Sequence, residues 1–335
     1  MKNGYFIGID VSKETLDLSV VQGNQQVYYQ RIVNSTKGLK QFFKSCPKEI
    51  ELNTAVFCME HTGIYNFYAV EFLVGIKASL WIESASKIKK SLGLQRGKSD
   101  KVDALRIAQY AFKNRDDIRL WEPPRQQIKE LKKLLSMRTR CVNIKKIVQV
   151  PLKENAGFSS RQEAKQESKM FSATLKAIKQ DLGRIDKAIL SLIKSDENLN
   201  KVFGLITSVQ GAGTIVAANM IVHTNEFKGF TNAKKFACYS GIAPFEHTSG
   251  KSIRGKSRVS HLANKNIKAL FHLAAISSIR LTGELRTFYM RKVSQGKNKM
   301  LVLNAIRNKL IHRIFAVVRD GVPYQNNYIH PLQVS

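Results

Sequence analysis

The first 85 residues contain apolar segments of strand length separated by turns, and this order of elements constrains the fold most. Residues 5–11 and 15–21 predict two strands, and Gln26–Val33 predicts a third. Further along, strands are predicted at Ala55–Met59 and Ser79–Ile82, and helices at Gly38–Ser45, Tyr65–Lys77 and 86–114. Consecutive strands followed by strand–helix alternation indicate an α/β region with a mixed sheet flanked by helices.

The rest of the chain reads as helical. Pro123 and Pro124 mark a break, after which apolar residues recur at alternating spacings of three and four around 134–148 and 175–192. This spacing predicts an antiparallel helical hairpin or coiled-coil arm, although two core helices of a bundle fit it equally well. We therefore expect three parts: an α/β domain at 1–120, a helical connector at 121–200, and a mostly helical domain at 201–325.

The charge of the chain indicates an anionic partner. The chain carries 55 Lys and Arg against 25 Asp and Glu, a formal net charge of +30. Residues 249–320 contain 16 basic residues and two acidic ones, Glu284 and Asp320. Such a basic surface is typical of nucleic-acid binding.

Other sequence signals narrow the class of protein. No apolar stretch approaches the roughly 18 residues of a membrane helix, and no signal sequence is evident. The four cysteines form no C-x-x-C pair, which argues against zinc and against a disulfide framework. We expect a bacterial cytoplasmic protein, nucleoid-associated when bound to DNA, with no membrane partner and no histidine-ligated metal.

Four carboxylates are placed where they could converge. Asp10 ends the first predicted strand, Glu60 ends the fourth, and Asp100 and Asp103 lie three residues apart at a helix start. Residues at i and i+3 share one helix face, so all four could meet if that face covers the strand ends. Clustered negative charges require compensation, and oxygen ligands suit Mg²⁺, which predicts a two-ion magnesium site.

Each acidic residue also has an ordinary structural interpretation. Asp10 could begin a turn with Ser12, Asp100 could cap a helix, and Asp103 could pair with Lys101 or Arg106. The order strand-Asp, strand-Glu, helix-Asp-x-x-Asp is more specific as a set than any member is alone.

Several segments together resemble a known family, the DEDD-type insertion-sequence transposases. This family shares its architecture with Piv-type DNA invertases and includes recombinases guided by a bridge RNA. The matching segments, in the family's order and across nearly the whole chain, are 8–13, 59–63, 98–104, 209–213, 240–244 and 249–251. The resemblance implies a RuvC-like (RNase H fold) domain, a coiled-coil insert, and a C-terminal transposase domain. It maps the family's acidic tetrad onto Asp10, Glu60, Asp100 and Asp103.

The resemblance also implies a nucleophilic serine shortly after the Gly-x-x-Pro segment, and Ser249 is the match. Thr248 is a weaker second candidate, and Ser240 is discounted. From the residues alone, a Gly/Ser turn in a basic loop is the more ordinary interpretation. A hydroxyl nucleophile forms a covalent intermediate that stores the energy of the broken phosphodiester. The basic residues that could hold the phosphate are Lys251, Arg254, Lys256 and Arg258.

Two glycine-containing patterns need separate treatment. Residues 250–257 satisfy the phosphate-binding P-loop pattern, but a P-loop follows a buried strand and opens a helix, and the flanks here do not fit. Residues 209–213 predict a helix-hairpin-helix turn in which Gly211 and Gly213 let backbone N–H groups approach DNA. A glycine turn between packed helices explains that segment equally well.

Three functions remain at this stage. The favoured one is an Mg²⁺-dependent DNA transposase or site-specific recombinase with a covalent serine intermediate. For it the family implies a homo-oligomer (dimer or tetramer) and, as in some of its members, a bridge RNA as guide. The alternative is a RuvC-like structure-specific nuclease that hydrolyses phosphodiesters. The third is a non-catalytic RNA- or DNA-binding protein, against which the acidic tetrad argues.

Overall fold

The computed structural model describes residues 4–91, 99–249, 253–260 and 262–325, with only the backbone described for 245–249 and 253–258. The chain divides into two compact units, Met1–Pro123 and Pro124–Ser335. Within the described residues, no helix is long and apolar enough to cross a membrane.

The first unit is built on a mixed five-stranded sheet. Its strands are β1 (Tyr5–Val11), β2 (Thr15–Gln22), β3 (Gln25–Val33), β4 (Val56–Glu60) and β5 (Ser79–Glu83), in the spatial order β3-β2-β1-β4-β5. β1, β2 and β3 are antiparallel neighbours, whereas β1, β4 and β5 run parallel. The predicted α/β sheet is therefore confirmed, and its parallel strands end at one edge.

Four helices accompany this sheet. They are α1 (Thr36–Ser45), α2 (Phe67–Gly75), α3 (Ala85–Ser91) and α4 (Asp100–Lys113). The segment predicted as one helix at 86–114 thus contains α3 and α4, and its residues 92–98 lie outside the described part. Apolar residues fill both faces of the sheet and form two separate core clusters.

One glycine sets the distance between α4 and the sheet. A Cβ atom added to Gly8 would lie 2.2 Å from the carbonyl oxygen of Ala104 and 2.2 Å from the backbone nitrogen of Ala108. Since real Cβ atoms do not approach backbone this closely, only glycine lets α4 cross β1 here. This close crossing brings the first turn of α4 towards the end of β1.

In its described residues, the second unit is helical apart from one strand pair. Its helices are α5 (Gln126–Asn155), α6 (Arg161–Met170), α7 (Ser172–Lys194), α8 (Glu197–Ser208), α9 (Thr214–Thr224), α10 (Ala233–Tyr239), α11 (Lys265–Arg280), α12 (Glu284–Ser294) and α13 (Lys299–Asp320). Among the described residues, most of their buried apolar side chains belong to one cluster.

The start of α5 and the end of α7 belong to that cluster, through Ile128, Leu131, Leu135, Ile185, Ile189 and Ile193. The other end of α5 exposes apolar side chains, including Ile147, and α6 exposes Met170. The two long helices pack on each other as the predicted hairpin requires. Their designation as a separate connector stays a prediction.

The basic segment predicted as a loop is in fact a β-hairpin. Strands β6 (Phe245–Ser249) and β7 (Ile253–Arg258) pair antiparallel, with Ser249 opposite Ile253. Because Ile253–Arg258 is a strand, residues 250–257 do not lead into the helix that a P-loop requires. The hairpin escaped prediction because its basic and small residues lack the apolar alternation of a half-buried strand.

Candidate active site

Two of the predicted acidic residues lie side by side at one edge of the first unit's sheet. Ile9 pairs with Met59 in the parallel ladder of β1 and β4, so Asp10 and Glu60 are the next residues on neighbouring strands. Asp10 also lies opposite Asp17 in the antiparallel pairing of β1 with β2. The sheet register therefore brings three carboxylates to this edge.

The electrostatics of Asp10 show that the tetrad is close in space. The pKa of Asp10 is raised to about 6, mainly by burial and then by the negative charges of Asp103, Asp100, Glu60 and Asp17, in that order. Burial also raises the pKa of Glu60, while Lys89 opposes and Asp103 adds to that rise. The site thus carries more negative charge than its surroundings compensate.

The two carboxylates on α4 are held by arginines. Ser99 caps the helix, its hydroxyl accepting from the backbone N–H of Val102 at 3.4 Å, so Asp100 is not the cap residue. Arg31 Nη2 lies 2.8 Å from Asp100 Oδ2. Arg106 Nη1 lies 3.0 Å from Asp103 Oδ1.

Among the described residues, the acidic groups of this site are not arranged as a metal coordination sphere. Across the described residues, no group of three or more His, Cys, Asp or Glu side chains is close enough to hold a metal ion. The oxygen-only donor set and the excess negative charge nevertheless match what Mg²⁺ prefers. The tetrad therefore has the chemistry of a magnesium site, with its α4 carboxylates bonded to Arg31 and Arg106.

A fifth acid, Asp17, lies opposite Asp10 on β2 and was not singled out from the sequence. Its side chain is buried, accepts a hydrogen bond from the Tyr29 hydroxyl, and receives Arg31 Nε at 3.0 Å. Arg31 thereby joins Asp17 to Asp100. The signal was present in the strand register, since Asp17 and Arg31 are direct partners across β2 and β3.

Two buried amides hold the turns beside Asp10 and Glu60. Asn34 donates to the carbonyl oxygens of Ser12 at 2.8 Å and Tyr65 at 3.0 Å. Asn66 donates to the carbonyl oxygen of Glu60 at 2.7 Å. These bonds fix the backbone after each strand end, which is how a scaffold preorganises a site.

The proposed nucleophile and its basic neighbours lie in the second unit. Ser249 is the last residue of β6, and Thr248 pairs with Arg254 across the hairpin. Lys256 and Arg258 also belong to β7. Lys251 lies outside the described residues. Ser240 is fully buried and its hydroxyl donates to the carbonyl oxygen of Ala237, an arrangement that agrees with discounting it.

The predicted helix-hairpin-helix turn joins α8 to α9, and its two glycines differ in their surroundings. A Cβ on Gly211 would lie 2.8 Å from Ser278 Cβ and 2.9 Å from the carbonyl oxygen of Ala274, and its φ is +95°. Packing against α11 therefore accounts for Gly211. Gly213 precedes α9, and a Cβ there would meet nothing within 4 Å. Of the two, Gly213 has the space for a phosphate.

Comparison with known proteins is consistent across both units. A family model described as a transposase with the DEDD motif of IS110 elements matches residues 7–147. A second, described as the transposase IS116/IS110/IS902 family, matches residues 204–290. Together they cover more than half of the chain.

Individual relatives agree with the family models. A pilin gene-inverting protein of Moraxella bovis is 28% identical over 334 residues, covering 95% of this chain and 97% of the relative. A protein of the insertion element IS110 in Streptomyces coelicolor is 26% identical over 156 residues, 47% of this chain and 37% of that protein. The chain belongs to the IS110-type transposase family, and it is an enzyme that acts on DNA.

Proposed function

We propose that this enzyme recombines DNA through a covalent serine intermediate in a reaction that requires Mg²⁺. The observation that carries the proposal is the raised pKa of Asp10, because four further carboxylates contribute to it in a strongly basic chain. Asp10, Glu60, Asp100 and Asp103 would hold the metal in place of the arginines now bonded to Asp100 and Asp103. Bound there, Mg²⁺ would neutralise the carboxylates and polarise a phosphodiester.

Ser249 supplies the nucleophile in this proposal. Its hydroxyl oxygen attacks phosphorus and loses its proton, the phosphorus–oxygen bond to the departing strand breaks, and the departing oxygen takes up a proton. The phosphodiester energy is kept in the serine–phosphate bond, so strands can be rejoined without ATP. Support comes from the family resemblance and from the position of Ser249 on a basic hairpin.

The partners of the proposed reaction are donor and target DNA, a second copy of the chain, and an RNA. Strand exchange needs several active sites, which favours a dimer or tetramer. The exposed apolar side chains of α5 and α6 offer a surface for self-association. The RNA guide rests on the resemblance to bridge-RNA-guided recombinases, and sequencing of RNA that copurifies with the protein tests it.

Trapping the covalent adduct tests the central step. DNA carrying the element's ends is incubated with the protein and Mg²⁺, and protein–DNA adducts are resolved on a denaturing gel and mapped by mass spectrometry. Ser249→Ala should abolish both the adduct and recombination, while Ser240→Ala and Thr248→Ala serve as matched hydroxyl controls. An adduct on Thr248 would reassign the nucleophile, and free ends without any adduct would support the nuclease alternative.

Metal dependence is tested in the same assay. Asp10→Ala and Glu60→Ala should abolish cleavage and leave DNA binding nearly intact, since binding comes mainly from basic residues. Full activity of either variant, or of the wild type in EDTA, would contradict the magnesium site.

A further inference from the structure

A buried arginine without a carboxylate partner lies in the second unit. Arg307, in the middle of α13, is only 5% exposed and is the one buried arginine among the described residues. Its Nη2 lies 2.8 Å from His272 Nδ1, its Nη1 lies 3.4 Å from Asn304 Oδ1, and its buried Nε has no partner. Within the described part of the chain, no Asp or Glu forms an ion pair with it.

Burial of such a side chain lowers the stability of the folded protein. A buried charge that lacks a counter-charge loses its hydration without electrostatic compensation. Burial lowers the pKa of Arg307, yet guanidinium groups remain protonated in proteins. The next residue, Asn308, also has a buried side-chain oxygen without a hydrogen-bond partner. The guanidinium of Arg307 is therefore buried, cationic and incompletely hydrogen-bonded, as expected where a ligand binds.

The position of Arg307 relates it to the hairpin that carries Ser249. One turn earlier on α13, the Asn304 amide donates to the carbonyl oxygen of Ile242 at 2.9 Å, close to where the hairpin begins. On α11, Lys268 and His272 are four residues apart and so share a helix face. A Cβ on Gly241 would lie 3.8 Å from Lys268 Cδ. Lys268 thus lies beside Gly241, and Arg307 and His272, which are bonded to each other, lie one helical turn from the residues that contact 241–242.

His272 extends the site towards the surface. Its Nδ1 accepts from Arg307, so its proton is on Nε2 and remains available for donation. Burial and the charge of Arg307 both lower the pKa of His272, which keeps the ring neutral near pH 7. The cluster offers hydrogen-bond donors and positive charge, the complement of a phosphate oxygen.

We propose that Arg307, His272 and Lys268 bind a phosphodiester group of the DNA substrate beside the start of the β6–β7 hairpin. The surrounding segment, 249–320, has 16 basic residues and two acidic ones, which favours a polyanion over a protein carboxylate. Bound there, a backbone phosphate would place the DNA strand at the base of the hairpin, so the cluster would position substrate for the hairpin's chemistry. The inference rests on the enzyme acting on DNA and does not depend on Ser249 or on Mg²⁺.

The test compares two arginines of one helix. Arg307→Met removes the buried cation, whereas Arg319→Met removes an exposed one that is already paired with Asp320 at 2.7 Å. Binding of a fluorescein-labelled DNA duplex is measured by anisotropy over a series of NaCl concentrations in EDTA. Arg307→Met should lower the salt slope by about 0.9, the value of one duplex-phosphate contact, and Arg319→Met should leave it unchanged.

Thermal unfolding without DNA separates a binding role from a structural one. If Arg307 binds a phosphate only in the DNA complex, Arg307→Met should raise the Tm of the DNA-free protein, because the variant no longer buries an unpaired cation. A lowered Tm together with an unchanged salt slope would show a purely structural arginine and overturn the proposal.

Two further arms complete the experiment. Should Arg307→Met fail to fold, Lys268→Met leaves the buried arginine in place and must itself lower the salt slope, and an unchanged slope would overturn the proposal. Single-stranded RNA of the same sequence is titrated in parallel. A change in slope seen with RNA but not with DNA would assign the site to RNA and reject the DNA ligand. Because no step requires catalysis, failure here would leave the proposed cleavage chemistry intact.

Discussion

Gly8 shows how one residue controls the geometry of the proposed site. In Gly8→Ala the new Cβ would meet the backbone of α4 at Ala104 and Ala108, so the helix must move away from β1. We expect overpacking to destabilise the first unit by about 1–3 kcal/mol. Moving α4 would also carry Asp100 and Asp103 away from Asp10, which should weaken Mn²⁺ binding. Urea unfolding and calorimetric Mn²⁺ titration measure the two effects.

Gly75→Ala is the matched control, because a Cβ there meets nothing within 4 Å. Its stability should stay within about 0.5 kcal/mol of the wild type. Equal behaviour of the two variants would show that the crossing of α4 over β1 is not tightly constrained.

Asp10 gives the metal-free protein a dependence on pH. Its folded-state pKa of about 6 lies above the ordinary value of 3.8, so its protonated form is favoured by folding. Compared with a protein that has a neutral residue at this position, the wild type loses free energy of unfolding as the pH rises from about 3.8 through 6. Below about pH 3.8 this loss is absent. Asp10→Asn should accordingly be more stable than the wild type at pH 7.5 in EDTA.

The measurement is urea unfolding of both proteins at pH 7.5 and at pH 5. The difference between them should shrink at the lower pH, because Asp10 is then largely protonated. A constant difference would mean that Asp10 does not titrate in this range. Added Mg²⁺ should stabilise the wild type more than Asp10→Asn, since the variant lacks one proposed ligand.

At this scale the sequence predicted the strand ends and the helix start at which Asp10, Glu60, Asp100 and Asp103 lie. It also offered Arg106 as a possible partner of Asp103, but it did not predict the pairing of Asp100 with Arg31. Each of the four lies at a strand end or a helix start, and the hydrophobic pattern of the sequence predicts both kinds of boundary. Arg31 and Asp17 become visible only when β2 is paired with β3, because the register decides which side chains face each other. Arg307 could not be recognised as buried, since a basic residue in an amphipathic helix ordinarily faces solvent.

Among the elements, α5 begins on a three-residue ionic network that anchors it to α8 and α9. Arg125 lies 2.7 Å from Asp196, which caps α8, and contacts the buried carboxylate of Glu226, which follows α9. Arg125→Ala would leave Glu226 buried without its counter-charge. We expect a loss of about 3–5 kcal/mol in the free energy of unfolding, measured by denaturant titration.

The pH dependence of this network follows from its carboxylates. Arg125 holds the pKa of Asp196 below its usual value, and its bond likewise keeps the pKa of Glu226 low despite burial. Their contribution is present above the unfolded pKa values of about 4 and is lost as pH falls further. Exposed Arg161, at the start of α6, provides the control: Arg161→Ala should have little effect, and a similar loss in both variants would contradict the network.

The strands and helices of the first unit were largely predictable, whereas the β6–β7 hairpin was not. β1, β2 and β4 are apolar segments bounded by turn residues, and that pattern suffices for strands with a buried face. The hairpin owes its structure to cross-strand pairing, which local composition does not reveal. The helical periodicity of α5 and α7 was clear, but it could not show that only one end of each helix joins the core.

For the molecule as a whole, the exposed end of the α5–α7 hairpin predicts self-association. Ile147, Phe158 and Met170 are large apolar side chains that are 72%, 96% and 73% exposed. Monomeric proteins seldom leave such patches uncovered, and the proposed strand exchange requires more than one copy. Replacing all three with Ser should shift the protein towards monomer in sedimentation velocity at micromolar concentration. It should leave thermal stability nearly unchanged, because these side chains contribute little to the core.

Leu131→Ser, in the buried part of α5, is the contrasting variant: it should unfold the second unit instead of dissociating an oligomer, because Leu131 is fully buried in the core cluster. If the triple variant sediments like the wild type, the exposed end of the α5–α7 hairpin is not the oligomer interface. If it dissociates and also loses recombination while single-site DNA binding persists, strand exchange depends on the oligomer. In that case the exposed apolar side chains would support the proposed chemistry of Asp10 and Ser249 by forming the oligomer, without contacting DNA themselves.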